Sequence, residues 1–404
     1  MLNSNKVTRC SATLVLLTVI LSTFPSQALF AQTKPGTPQR AAFTVDDMLD
    51  VVNLGQSDLS DDGRWLALTT STLRDRIGVD NYRFGDPTYT APQKSDLLVI
   101  DTLTARSQRV FPEKQLLRAI RWSPDGKELA MLVMKGDSFN PLIWDRESRT
   151  ASPVVLPAGR YVAEAAELHW SPDSASLLIP LRSDDWRKRE KERFEYETRG
   201  PIVVHSSKEP FLAWDDLRRM TLPKALDAYD LKSRSFREIL PETKLSSYSI
   251  SEDGSFITCL QDVTKKTDYD YIGGSDNQVQ ILPASGGQPR TILKSTRGLN
   301  LTWSRDGRRY AYSKDGKVFF GSMDDKEPRQ LAGEKQEPGA DKSEDKSKSD
   351  PASDADKDNR DRQRFTAVRL DGKGERLVAS NKEGLWLIET ATGAKDLFIK
   401  MPEE

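Results

Sequence analysis

Short apolar runs alternate with brief polar turns along most of the chain, at a spacing too tight for helices. The clearest instance lies within residues 121–130, where Trp122 precedes Ser123-Pro124-Asp125-Gly126 and an apolar run follows over 129–133. Serine suits the first position of a type I turn, proline presets φ at the second, and Asp-Gly completes a permissive exit. A hairpin strand is therefore expected on either side. The same register returns at Leu59-Ser60-Asp61-Asp62-Gly63, Trp170-Ser171-Pro172-Asp173-Ser174, Ile250-Ser251-Glu252-Asp253-Gly254 and Trp303-Ser304-Arg305-Asp306-Gly307. A degenerate copy occupies Leu370-Asp371-Gly372-Lys373-Gly374. The residue before the turn is always large and apolar, and the runs after it predict strands covered on both faces.

Each repeat has a second half. Leu97-Leu98-Val99-Ile100-Asp101 leads through a polar turn to Arg109-Val110-Phe111, and comparable runs begin at Leu142, Ala228, Val279, Val318 and Leu385. A unit of about four strands is the blade of a β-propeller. The expected fold is thus all-β, a propeller with six visible four-stranded blades over residues 43–404. A short helix is predicted over 43–52, capped by Thr44 with Asp46 and Asp47 in its first turn, and with Val45, Met48, Leu49 and Val52 on a docking face.

Two insertions interrupt the pattern. Residues 184–220 begin with a charge-laced helical stretch in which Trp186, Glu190 and Phe194 share one face. It reads as a solvated helix, with a lid or docking element acting through Trp186, Phe194 and residues 211–214 as the sharper alternative. Residues 333–364 are almost nothing but Lys, Asp, Glu, Ser, Pro and Ala, which predicts a disordered low-complexity loop.

Charge narrows the partners. With 60 Lys and Arg against 61 Asp and Glu, the net charge of -1 supplies no field for nucleic acid, and none is expected as a partner. Residues 1–31 read as a signal peptide, with Lys6 and Arg9 ahead of an apolar run over 14–24. Residues 32–42 form a flexible leader. An exported protein, periplasmic or extracellular and without stable membrane insertion after cleavage, is expected. Cys259 would then be the one remaining cysteine, which excludes an intramolecular disulfide.

Candidate chemistry is sparse. The nearest approach to a Gly-x-Ser-x-Gly elbow is Gly273-Gly274-Ser275-Asp276-Asn277, which lacks the last glycine and runs into strand-like sequence. The two histidines, His169 and His205, have no recognisable triad partners. Asp268, Asp270 and Asp276 hint at a calcium loop, but Val279 stands where its bidentate glutamate belongs. No catalytic residue, metal or cofactor is therefore expected. The repeated Asp62, Asp125, Asp173, Asp253 and Asp306, with Gly63, Gly126, Gly254 and Gly307, read as structural turn residues.

The Trp-Ser-Pro-Asp-Gly turn at 122–126, its near copy at 170–174, and the opening Phe43-Thr44-Val45-Asp46-Asp47-Met48-Leu49 resemble the propeller of secreted prolyl oligopeptidase-type serine peptidases. The Tol-system periplasmic propeller carries similar repeats. The first resemblance implies a noncatalytic, substrate-gating propeller whose partners are peptides or a peptidase domain. Hydrolysis would fall to an α/β-hydrolase domain whose motifs this sequence does not show. It also implies seven or eight blades, so that six are one or more short. The dipeptidyl branch holds a substrate amine with paired glutamates, a role that would fall to Glu164 and Glu167. The second resemblance implies a standalone binding or scaffold propeller.

Overall fold

A computed structural model describes residues 42–77, 93–136, 138–163, 166–200, 206, 208–267, 274–333 and 363–402. The expected signal peptide and most of the expected leader, Glu164, His205, Asp268, Asp270 and nearly all of the low-complexity stretch lie outside these residues. Contacts divide the chain into Met1–Met48 and Leu49–Glu404.

Helix α1 spans Val45–Leu49, five residues rather than the ten expected. Thr44 and Asp47 exchange hydrogen bonds across its first turn, the Asp47 amide donating to Thr44 Oγ1 at 3.1 Å and the Thr44 amide to Asp47 Oδ2 at 2.8 Å. None of its residues is buried.

From Asn53 onward the described residues form six antiparallel blades of four successive strands, the β-propeller pattern, with Arg160–Val162 as an additional short strand paired to Ser176–Ser183 of the third. Blade 1 comprises Asn53–Leu59, Trp65–Ser71, Lys94–Asp101 and Ser107–Arg109. Blade 2 comprises Gln115–Trp122, Glu128–Lys135, Ser138–Asp145 and Thr150–Pro153. Blade 3 contains His169–Trp170, Ser176–Ser183 and Pro223–Asp230, and its fourth strand is the front of Ser235–Ile250. The rear of that 16-residue strand is the first strand of blade 4, which continues with Phe256–Asp262, Asn277–Pro283 and Arg290–Leu293. Blade 5 comprises Asn300–Trp303, Arg309–Lys314, Lys317–Ser322 and Arg329–Ala332. Blade 6 comprises Thr366–Leu370, Arg376–Ser380, Gly384–Glu389 and Lys395–Lys400.

Five apolar clusters hold these six sheets, one for each adjacent pair. Between blades 2 and 3, for example, Leu132 and Phe139 meet Leu177, Ile179 and Tyr229. The second strands of blades 2 and 3, Glu128–Lys135 and Ser176–Ser183, each show six consecutive buried residues. The second strands of the other four blades lack such a run. The double-sided burial read from the sequence is therefore complete only in blades 2 and 3.

The repeat turns fasten the blades at one corner. In each of the first five, the serine Oγ donates to the aspartate Oδ1 two residues on at 2.5–2.8 Å. The same Oγ accepts the backbone N–H five residues on at 2.8–3.0 Å. Turns of neighbouring blades also bond each other. The Asp125 amide donates to Ser174 Oγ at 3.1 Å, Glu252 N–H to Asp306 O at 3.3 Å, and Arg305 N–H to Gly372 O at 3.1 Å. Gly254, at φ +69°, would place a Cβ 3.2 Å from Pro172 Cδ of the preceding blade. Gly254→Ala should cost about 1–2 kcal/mol, from left-handed backbone strain together with this crowding. Thermal denaturation with an unchanged Tm would disprove the fastening.

Insertion helix α2 spans Asp184–Thr198 and starts at a genuine cap, the Trp186 amide donating to Ser183 Oγ at 3.2 Å. Trp186 is fully buried in the cluster between blades 2 and 3, and Glu190 is also buried. The helix is therefore neither a wholly solvated rim element nor one that offers Trp186 to a partner. Helix α3, Ala213–Arg219, follows it. Arg219 reaches Asp262 on the second strand of blade 4 and lies 3.4 Å from Asp215 of its own helix, so the insertion is also tied to blade 4.

Candidate functional site

The residue just before the large apolar pre-turn residue is polar in all six blades: Asp58, Arg121, His169, Ser249, Thr302 and Arg369. Each ends a first strand, so alternation places these positions equivalently in successive sheets. Two of them bond the following blade, Asp58 Oδ2 accepting the Trp122 amide at 2.7 Å and Thr302 Oγ1 the Leu370 amide at 3.2 Å. Arg121 contributes through its backbone instead, its carbonyl accepting from Trp170 Nε1 at 3.0 Å.

Around Arg121 these first strands assemble a charged cluster. Burial pushes the Asp58 carboxyl above the usual range, and the Trp122 amide and the Arg121 guanidinium only partly offset it. Burial likewise lowers the His169 pKa against the opposing pull of Glu167, which favours a neutral imidazole at neutral pH. His169 Nε2 stands 3.6 Å from Glu167 Oε2, and its ring meets Tyr248 edge-on with centroids 4.8 Å apart. Tyr248 Oη donates to the Glu167 and Leu178 carbonyls, and its phenol is held well above its ordinary pKa by burial first and Glu167 second. The Glu167 carboxylate itself is 68% exposed. The cluster therefore presents one accessible carboxylate backed by a neutral imidazole and a guanidinium. It can hold a cationic chain end but lacks a nucleophile.

Of the two glutamates named from sequence, Glu167 belongs to this cluster and Glu164 lies outside the described residues. His169 packs against Tyr248. Ser275 lies beside Gly274, whose carbonyl accepts from Arg219, and Asp276 serves the structure by accepting from Ser295 Oγ at 2.7 Å. Burial pushes the Cys259 thiol up to about 12, which suppresses thiolate chemistry. Among the described residues, no group of three or more His, Cys, Asp or Glu could hold a metal ion. No helix among them is long and apolar enough to cross a membrane.

Asp58, Arg121 and Tyr248 escaped the sequence reading. The signal for the first two was present: a polar residue at a fixed offset from every repeat turn. Tyr248 stands two residues before Ile250, one step off that register, and only the fold brings it to His169.

No protein-family model matches the chain, and no curated protein matches it either. Solved structures similar to it include TolB from Acinetobacter baumannii, at 14% identity over 67% of this chain and 52% of that one, with a TM-score of 0.37. The β-propeller domain of the Trilobed protease from Pyrococcus furiosus is 13% identical over 86% of this chain and 84% of that one, TM-score 0.39. Pyrococcus horikoshii acylaminoacyl peptidase is 12% identical over 88% of this chain, TM-score 0.43. The chain spans about half the length of the TolB and acylaminoacyl peptidase structures, 52% and 47% respectively.

Proposed function

We propose that this chain is the noncatalytic, substrate-gating propeller portion of an exported prolyl oligopeptidase-like serine peptidase, with hydrolysis carried by a separate α/β-hydrolase domain. The observation that carries the reading is the set of polar positions ending the six first strands, with the exposed Glu167 carboxylate beside them. A rigid array bearing such a set selects by size and by the charge of a chain end. Glu167 is the group that would receive a peptide ammonium, with His169 and Tyr248 fixing the segment that bears it.

The repeat turns serve a second reading equally well, a standalone periplasmic Tol-type propeller that acts as a binding or scaffold protein. Titration with short peptides separates the two. Tripeptides with a free amino terminus should bind, N-acetylated versions should bind at least fivefold more weakly, and Glu167→Gln should erase the difference. Equal binding of free and acetylated peptides, or no binding, would defeat the gating role. A fluorophosphonate probe should leave Ser275 unlabelled, and stoichiometric labelling there would show that the chain carries its own nucleophile.

A further inference from the structure

The proposed cation site has a titratable neighbour with nothing to bond. His169 Nε2 is buried and has no hydrogen-bond partner among the described residues. Glu167 Oε2 stands 3.6 Å from it, just outside hydrogen-bond reach. The same carboxylate is largely exposed, so it can serve either the ring or a ligand arriving from solvent.

The other charged and titratable groups about the ring come from neighbouring blades. Arg121 ends the first strand of blade 2, and a bulge aims it. Arg118 pairs with Leu132 and Arg121 with Ala130, so three steps along one strand match two along the other. Between them Ala119 takes the left-handed region at φ 49°, a strained conformation for a residue with a Cβ. Regular pairing would set Arg121 opposite Leu129, in the cluster between blades 1 and 2. The bulge sets it opposite Ala130 instead, on the face turned to blade 3, which bears His169. Tyr248 of blade 4 commits its hydroxyl to the Glu167 and Leu178 carbonyls and stays uncharged, its pKa held up by burial first. Asp58 of blade 1 faces Arg121 and accepts the Trp122 amide. Glu167 is thus the one carboxylate within ion-pair range of His169 among the described residues.

Burial first, and Arg121 to a lesser degree, keep the imidazole neutral at neutral pH against the pull of Glu167. Protonation would leave a buried charge that has to be paired, and Glu167 is the group in place to pair it. A carboxylate so engaged has less attraction left for an ammonium. We propose that His169 and Glu167 form a proton-operated switch on the cation site. With the imidazole neutral, Glu167 is open to a ligand ammonium. With the imidazole protonated, Glu167 turns to the ring and the ligand is released. The inference rests on the peptide-gating reading and supplies its regulation. Proton and ligand compete for one carboxylate, so each weakens the other by the same factor. Acidification should therefore release cationic ligands, and a bound ammonium should make His169 harder to protonate.

The test follows the His169 ring resonance by NMR of the whole chain, labelled at histidine with carbon-13, from pH 8 to pH 5. The chain has two histidines, and His169→Gln assigns the signal by removing it. Binding of trialanine and N-acetyl-trialanine is measured over the same range. The preference for the free amino terminus should fall at least threefold on acidification, with the midpoint of the His169 resonance. In the free protein Glu167→Gln should lower that midpoint by half a pH unit or more. Arg121→Gln should raise it and carry the release of peptide with it, a shift that a merely structural role would not produce. In His169→Gln the preference, whatever its size, should be the same at both ends of the range. A His169 midpoint unmoved by Glu167→Gln would overturn the switch, as would a preference in the original chain that does not change with pH. An undiminished pH response in His169→Gln would do the same. Equal binding of the free and acetylated peptides at every pH would instead defeat the cation-site reading, and the switch with it.

Discussion

Trp186→Ala should destabilise the protein by about 3–5 kcal/mol, the range for truncating a buried aromatic side chain. The indole is 0% exposed and shares its cluster with Ile179, Met220 and Tyr229. Arg182, also 0% exposed, lies with its guanidinium 4.0 Å from the indole centroid. Arg182 donates to the Thr221 carbonyl at 2.7 Å and to the Pro223 carbonyl at 3.1 Å. Removing the ring therefore opens a cavity and withdraws the cation–π partner of a buried charge at once. Trp186→Phe retains a ring face and most of the apolar contact, and should cost about 1–2 kcal/mol. Urea denaturation at constant m reads both values. A Trp186→Ala midpoint within error of the original would mean that the insertion is not anchored in the core.

Asp227→Asn should stabilise the protein at pH 7.5 by about 1–2 kcal/mol, discounting the full pKa difference for screening. Asp227 lies in the third strand of blade 3, opposite Ile179, and Tyr229 two residues on belongs to the same buried face. Its Oδ1 is buried without a hydrogen-bond partner. Burial first, and Glu238 to a lesser degree, raise its pKa from 3.8 to about 6 against the opposing pull of Arg160. The sign follows from proton linkage. The folded state holds the proton more tightly than the unfolded state, so this group's contribution is complete below the unfolded pKa and is lost as pH rises through the folded one. Wild-type stability should therefore carry a falling component between roughly pH 4 and 6 that Asp227→Asn removes. The two curves should converge near pH 4, separate between 4 and 6, and run parallel above 6. A variant less stable than wild type at pH 7.5 would show that the carboxylate is paired with Arg160 rather than stranded.

The six blades were legible because one turn is written repeatedly in a recognisable chemistry. Ser-x-Asp-Gly encodes its own hydrogen bonds, and the chain closes them the same way at Ser60, Ser123, Ser251 and Ser304. Even the substitution at Ser174 keeps the left-handed backbone, at φ 60°, and its hydroxyl gains a bond to the neighbouring blade. At the sixth turn Asp371 replaces the serine, and Gly374 takes the left-handed place with its amide bonded to Asp371 O at 3.0 Å. The first helix was overestimated because Val51 and Val52 extend its apolar pattern, yet the chain turns extended at Asn53.

The insertion and the site were harder to read for a physical reason. A charged helix with a thin apolar stripe looks solvated, and nothing local says that Trp186 will stack on Arg182 of the strand before it. The Arg182 side chain is buried because two carbonyls and a ring receive it, and the carbonyls lie roughly forty residues downstream. The Arg121 cluster likewise draws on four blades. Apart from Glu167, which just precedes a first strand, its members are ordinary strand residues until the sheets are stacked.

Because the turns join neighbouring sheets at a single corner, loosening one junction need not disturb the next. The array is a chain of pairwise couplings in the sense of a one-dimensional lattice. Its response to denaturant depends on the weakest link, and the sheet with the most exposed outer strand is where peeling would begin. Amide exchange should accordingly be fastest in the outermost strand of blade 6, where every residue of Lys395–Lys400 is exposed, and slowest in the doubly covered strands of blades 2 and 3.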